Sequence, residues 1–388
     1  MSRAASRFRA LLALALLIPG GPLLAQDYFA EESFYTPADV FREVGMRSAH
    51  PADSAGPGGS FVATGGDSYS IMEGRPDTHA PAGVMGDHFH EPGEFMVEYK
   101  LMHMEMNGNR FGTTRVSNVA ALDVTGISFA ATPISMTMDM HMLHLMYGFT
   151  ENMTLWLMPM YMEAEMNHLR RPGSMPAAVR GPTFTTLNSG FGDTAFGGLV
   201  RLYEGNTDIL LLNAGWSVPT GNINHRTSTP TGMPGEFPYP MRLGSGSFNA
   251  IPTLTYKQFW QTNHMGVQLG ANLPTHKNFS GYANPNQFWA TSWFSQVIGE
   301  STVLSFRTEG AWRGDVAGAD PQLNPMMIST ANPNMRGGEW INLGYGGMYQ
   351  FFDGSRLNVE LVQPVYQNLR GVQLETDLTL WASWSKAW

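Results

Sequence analysis

Fourteen of the 26 methionines lie between residues 96 and 166, and their spacing is regular. In MTMDMHMLHLM, residues 136–146, Met occupies 136, 138, 140, 142 and 146, and His144 fills the missing even position. On a helix, steps of two residues scatter side chains to both sides. On a strand they share one face. The same spacing recurs at Met102, Met104 and Met106, and at Met158, Met160 and Met162. Thioethers are soft ligands that suit Cu(I), while imidazoles and carboxylates suit Cu(II). Thioethers also fill irregular apolar space and can be oxidised to sulfoxide. Met102, Met104, Met106, Met138, Met140, Met142, His144, Met158, Met160 and Met162 are therefore candidate soft-metal ligands, with packing as the alternative. A second group is HAPAGVMGDHFHEPGE, residues 79–94. It places His79, Met85, Asp87, His88 and His90 close together as further candidates, or as solvated loop histidines.

These faces need strands to carry them. Twelve segments alternate with period two: 94–106, 133–149, 152–168, 190–203, 207–219, 247–258, 260–274, 287–298, 302–314, 339–351, 354–366 and 373–388. In the last, Leu374, Leu378, Leu380 and Trp384 alternate with Gln373, Glu375, Asp377 and Ser383. One face suits lipid and the other is wet, over lengths that exceed the roughly 10 residues of a tilted membrane strand. The connections alternate long and short, with 107–132, 169–189, 220–246, 275–286 and 315–338 long. An outer-membrane barrel, with short periplasmic turns and long outer loops, has this order. The expected fold is all-β: a transmembrane antiparallel barrel of about 12 strands over 94–388. In the first three strands the outward sets are Phe95, Val97, Tyr99 and Leu101, then Leu143, Leu145, Tyr147 and Phe149, then Leu155, Leu157 and Tyr161. The methionines then face the lumen, in its extracellular half, with the 79–94 group at the periplasmic mouth.

Residues 1–25 read as an export signal, with Arg3, Arg7 and Arg9 before an apolar run of nine and Leu23-Leu24-Ala25 as cleavage site. Residues 26–93 read as an N-terminal arm or plug with one short helix, capped by Thr36 and Asp39 and ended by Gly45. Removing the leader leaves 20 basic against 32 acidic residues, a net charge of −12. That argues against a nucleic-acid partner. There is no Cys, so no disulfide and no thiolate site. Neither a Cys nucleophile, an HExxH helix nor a phosphate-binding glycine loop is present, and no enzyme is expected.

Several stretches resemble one family. They are Gly190-Phe191-Gly192-Asp193, Val218-Pro219-Thr220-Gly221, Tyr239-Pro240-Met241-Arg242-Leu243-Gly244-Ser245-Gly246, Pro364-Val365-Tyr366-Gln367 and Gly371-Val372-Gln373-Leu374-Glu375. Together they look like the outer-membrane "meta-pathway of phenol degradation" family, related to pores that export functional-amyloid subunits. The resemblance covers roughly residues 80–388, and the Met-rich first third departs from many such pores. It implies a channel in the outer membrane of a Gram-negative bacterium, and the aromatic C-terminal Trp388 resembles the signal read by the barrel-insertion machinery. Outer-membrane lipid and a small solute are the expected partners. Copper or another soft metal ion is the first-choice cargo and the one candidate cofactor. A channel for small aromatic or apolar compounds and a polypeptide secretion pore are the alternatives.

Overall fold

The computed structural model describes residues 75–124, 126–173, 181–228 and 234–388. The leader, most of the arm and its expected helix lie outside the described residues. Antiparallel strands close into one barrel. We label its legs β1 (Phe95–Gly112), β2 (Ala131–Thr150), β3 (Met153–Met158 and Met160–Arg170), β4 (Thr183–Phe191 and Thr194–Glu204), β5 (Asp208–Val218), β6 (Asn249–Phe259), β7 (Asn263–Pro274), β8 (Gln287–Ile298), β9 (Thr302–Arg313) and β10 (Gly338–Gln350). The ladder Arg356–Ala387 supplies both β11 (356–369) and β12 (372–387): its first part pairs with β10 and its second with β1. The Gln367 side chain binds the Thr376 backbone twice, at 2.8 and 3.0 Å. An extended chain would hold residues nine apart about 30 Å apart. The ladder therefore folds back, at Gly371, whose φ of +75° favours glycine. Eleven ladder segments thus form a closed ring with twelve legs.

β1 pairs with β2 on one side and β12 on the other, so the ring has no open seam there. At the seam's foot Phe95 N donates to Trp388 O (3.1 Å) and Trp388 N donates to Phe95 O (2.9 Å). Closure satisfies the backbone groups that lipid cannot. Five short turns (151–152, 205–207, 260–262, 299–301 and 351–355) share this end with both barrel termini, and the long loops share the other. Tyr99, Leu143, Leu155, Phe196, Leu254, Phe306 and Leu361 stand exposed on the outer wall, and Tyr147, Phe149, Trp260 and Trp388 ring its foot. An apolar belt with an aromatic girdle is the surface of an outer-membrane barrel, which fixes the short turns as periplasmic.

Some strand limits differ from expectation. β4 begins at Thr183 rather than 190, and β1 runs on to Gly112. β1 has 18 residues and β2 has 20, so their upper ends project beyond the bilayer. There the outer face no longer has to be apolar, and the alternation that marks a strand fades from the sequence. β3 breaks at Pro159, which has no N–H to donate to a ladder.

Residues 75–93 enter the barrel from the periplasmic end. Lys257 Nζ donates to Thr78 O (2.8 Å), Asn358 Nδ2 to Ala80 O (3.0 Å) and Gln268 Nε2 to Met85 O (2.8 Å). Gly83 N donates to Glu360 Oε2 (2.7 Å), whose other oxygen accepts from Arg307 Nε (2.6 Å). A Cβ on Gly83 would lie 2.6 Å from Arg307 Nη2 and 2.8 Å from Glu360 Oε2, so any larger residue must push this pair aside. The buried Asp77 accepts from Arg75 Nε and Nη2 (2.9 and 2.8 Å) and sits 3.4 Å from His264 Nδ1.

At the extracellular end the loops pack on one another. Arg242 is buried against Tyr239 and Tyr282 and donates to Glu236 (3.1 Å) and Asp320 (2.8 Å). Phe237 and Met241 of the same loop descend onto Met136 and Met166.

Candidate functional site

The registers decide what the methionine faces build. Across β1 and β2, Met102 opposes Met140, Met104 opposes Met138 and Met106 opposes Met136. Across β2 and β3, Met140 opposes Met162, Met142 opposes Met160 and Met136 opposes Met166. Equal parity on the shared lumen face leaves two alternatives, Met142 opposite Met158 or opposite Met160. The second is present. Two rows of three thioethers result, Met102–Met140–Met162 and Met106–Met136–Met166, and opposed Cβ atoms in such rows lie about 4.5–5.5 Å apart. His144 and Met158 do not pair in the ladder, because Pro159 interrupts it and its carbonyl takes the Leu143 amide instead (3.1 Å).

The rows face an interior chamber of about 740 Å³. Its wall includes Met102, Met104, Met106, Met138, Met140, Met158 and His144, and its floor Gly83 and Met85 from the plug. Met142 and Met162 are buried in the wall, and Met160 packs beside Gly192; these three do not line the cavity. Trp156 and Trp381 flank the methionines, Trp381 directly across from Met102 and Trp156 across from Met146, while Trp289, Trp312 and Trp340 line the part of the wall built by β8–β10. Their polar edges are partly engaged: Trp156 Nε1 donates to Asn213 Oδ1 (2.8 Å) and Trp289 Nε1 to Gln268 Oε1 (3.4 Å). Pro240, Thr330 and Arg336 from the loops form the roof. The chamber lies between a plugged foot and a capped mouth.

The 79–94 group serves the plug. His79 stacks on His88 (3.9 Å), which meets His90 edge-on (5.3 Å). His88 Nδ1 bonds Asp87 Oδ1 (2.9 Å), Asp87 Oδ2 accepts from Ala80 N (2.6 Å) and His79 Nε2 accepts from Arg356 Nη1 (2.9 Å). Burial pushes His79 and His88 below the ordinary imidazole value, so both are neutral in the docked plug. No three His, Asp or Glu side chains among the described residues have metal-holding spacing. A small void of about 10 Å³, close to the room one water needs, touches His79, Asp87, His88, Glu98 and His144. His90 lies outside it, 3.1 Å from Glu94.

The two candidate groups were expected at opposite ends of the lumen. The structure corrects this: Met85 and His144 border both the chamber and the small void. The plug reaches further up than a mouth-lining segment would, because its carbonyls are drawn in by Lys257, Gln268 and Asn358.

Sequence reading placed Trp156 on the inward face of the third strand but missed Trp289, Trp312 and Trp340, and Arg313 and Arg336. Trp381 was legible, since it shares the wet face of the last strand with Gln373 and Ser383. It also missed a knot at Asp193. Asp193 Oδ1 accepts from Gly221 N (3.0 Å), and Oδ2 accepts from Ser245 N (2.8 Å) and Oγ (2.5 Å). Thr220 Oγ1 donates to Gly192 O (2.9 Å). Three of the stretches that carry the family resemblance thus meet at one point, fastening the 219–248 loop to the wall.

No family model and no curated protein sequence matches the chain. Solved structures do. An outer-membrane channel from Pseudomonas putida F1 is 16% identical, with a TM-score of 0.51, over 77% of this chain and 97% of that one. The P. putida toluene transporter TodX is 10% identical (TM-score 0.38; 77% and 91% of the two chains). A Pseudomonas aeruginosa FadL homologue is also 10% identical (TM-score 0.35; 80% and 96%). The first likeness shows a shared β-barrel fold.

Proposed function

We propose that the protein is an outer-membrane channel that takes a small apolar or aromatic solute into the methionine and tryptophan chamber. One observation carries this reading: thioethers and indoles make up much of the cavity wall, with amide and hydroxyl side chains between them, and their polarisable surfaces favour apolar and aromatic guests. A volume near 740 Å³ suits one small molecule. Against the thioether and indole faces a hydrophilic solute would lose hydrogen bonds. With 75–93 inside the lumen, a polypeptide has no open path, which weighs against a secretion pore. The test is uptake of a neutral alkylbenzene by proteoliposomes. Met140→Lys, which places a charge in the chamber, should cut uptake severely. Uptake that is equal in the parent, the variant and empty liposomes would defeat the reading.

A second reading keeps the soft metal. The row Met102–Met140–Met162 brings three thioethers onto neighbouring strands, where two sulfurs can reach one Cu(I) or Ag(I) ion. Changing Met138, Met140, Met142, Met158, Met160 and Met162 together to Leu should then abolish Ag(I) retention by folded protein. Equal silver content in parent and variant would remove this reading and leave the apolar one.

A further inference from the structure

Arg336 is a chamber feature that an apolar guest leaves unexplained. Its guanidinium projects into the roof of the cavity and has no hydrogen bond or ion pair among the described residues. Beside it, Arg313 also lines the cavity. Arg313 Nε donates to Arg336 O (2.7 Å) and Nη2 to Gln373 Oε1 (3.2 Å), so its partners are neutral. The nearest carboxylate, Asp315, is already engaged by Arg370 Nη1 (2.6 Å) and by the amides of Arg336 and Gly337. Glu309, lower in the chamber, is held by Arg307 (2.7 Å) and Asn342 (2.9 Å). Two cavity-lining arginines therefore share the attraction of one carboxylate, Asp315, which is already bonded to a third, Arg370.

A buried charge with too few partners is costly, and a guanidinium fork matches a carboxylate in shape. Burial and the neighbouring Arg313 push Arg336 down to about 9, still a cation at neutral pH. The apolar wall continues up to this point: Arg313 lies over the Trp340 ring at 4.8 Å, and Trp312 meets Phe288 at 5.7 Å. We infer that the chamber selects amphipathic anions, an apolar or aromatic body bearing one carboxylate, with the body on the methionine and indole wall and the carboxylate on Arg336 and Arg313. This rests on the apolar-chamber reading and narrows its solute class.

The experiment compares 4-ethylbenzoate with 4-ethylbenzyl alcohol, a neutral molecule of similar shape, by quenching of the chamber tryptophans in the purified full chain at neutral pH. The carboxylate should bind at least about tenfold more tightly, the value of one charge-assisted contact. Arg336→Gln should remove most of that preference and leave alcohol binding unchanged, while Arg336→Lys should keep part of it. Raising the salt concentration should weaken only the carboxylate, which tests the idea even if the variants fail to fold. If both probes bind equally well to the parent, the anion proposal is overturned and the apolar chamber stands. If neither binds, the chamber reading falls and this proposal falls with it.

Discussion

Asp193 accepts both the backbone N–H and the hydroxyl of Ser245, at 2.8 and 2.5 Å, and so ties the outer loop that precedes β6 to the barrel wall. With the Gly221 amide on its other oxygen, the carboxylate is the hub of the knot. Asp193→Ala leaves three donors without this acceptor. The expected cost is about 3 kcal/mol, the upper value for a hydrogen bond to a charged group. Limited proteolysis should then cut within 219–248 while the barrel keeps its heat-resistant migration on a gel. Protection equal to the parent would show that the loop is held by other contacts.

Gly83 passes between Arg307 and Glu360 because it has no side chain. Gly83→Val cannot fit there without pushing the pair aside, so the plug should withdraw from it. Single-channel conductance of the variant should rise above that of the parent. Unchanged conductance would mean that 75–93 does not limit the pore.

Glu360 is buried with Arg307, which keeps Glu309 as a second carboxylate, and Glu360 also accepts from the Gly83 amide. Glu360→Ala should lower barrel stability by about 1–3 kcal/mol, the cost of leaving buried donors without this acceptor, read as a lower urea midpoint in detergent. A midpoint within error of the parent would contradict the burial of this pair.

Acid should loosen the plug in two stages. Burial holds His79 and His88 below the ordinary imidazole value, so they stay neutral while docked. Released, each takes up a proton near pH 6.5. The undocked state then binds more protons, and docking weakens as pH falls through about 6.5. Asp77 follows: burial raises its carboxyl, but bonds with His264 and Arg75 outweigh this and hold it below the usual carboxylate range. Its contribution is present above about pH 3.9 and is lost as pH falls below that value. Conductance should therefore rise below about pH 6.5 and again below about pH 4. A flat profile would rule out titration of these plug contacts.

The barrel was legible in the sequence because lipid and lumen impose opposite polarity on alternate residues. Leu143, Leu145 and Tyr147 against Met142, His144 and Met146 show it at once. Past the bilayer that demand stops, and residues 183–189 were read as loop although they are strand. The thioether face was legible for the same reason as the barrel. Its counterpart was not: Trp289, Trp340 and Arg336 reach the chamber from strands and a loop far from β1–β3 in sequence, and only closure of the ring brings them opposite. The plug's depth was hidden too, since nothing in HAPAGVMGDHFHEPGE states that Gln268 and Asn358 will take its carbonyls.

The central claim is that a small apolar or aromatic molecule occupies the chamber between the methionine rows and the indoles. A bromobenzene soak, located by anomalous scattering of bromine, tests it most directly. The account predicts a bromine peak inside the barrel, in contact with Met140 or its row neighbours and with Trp381 or Trp289. Bromine found only on the lipid-facing wall, with the chamber empty, would contradict it.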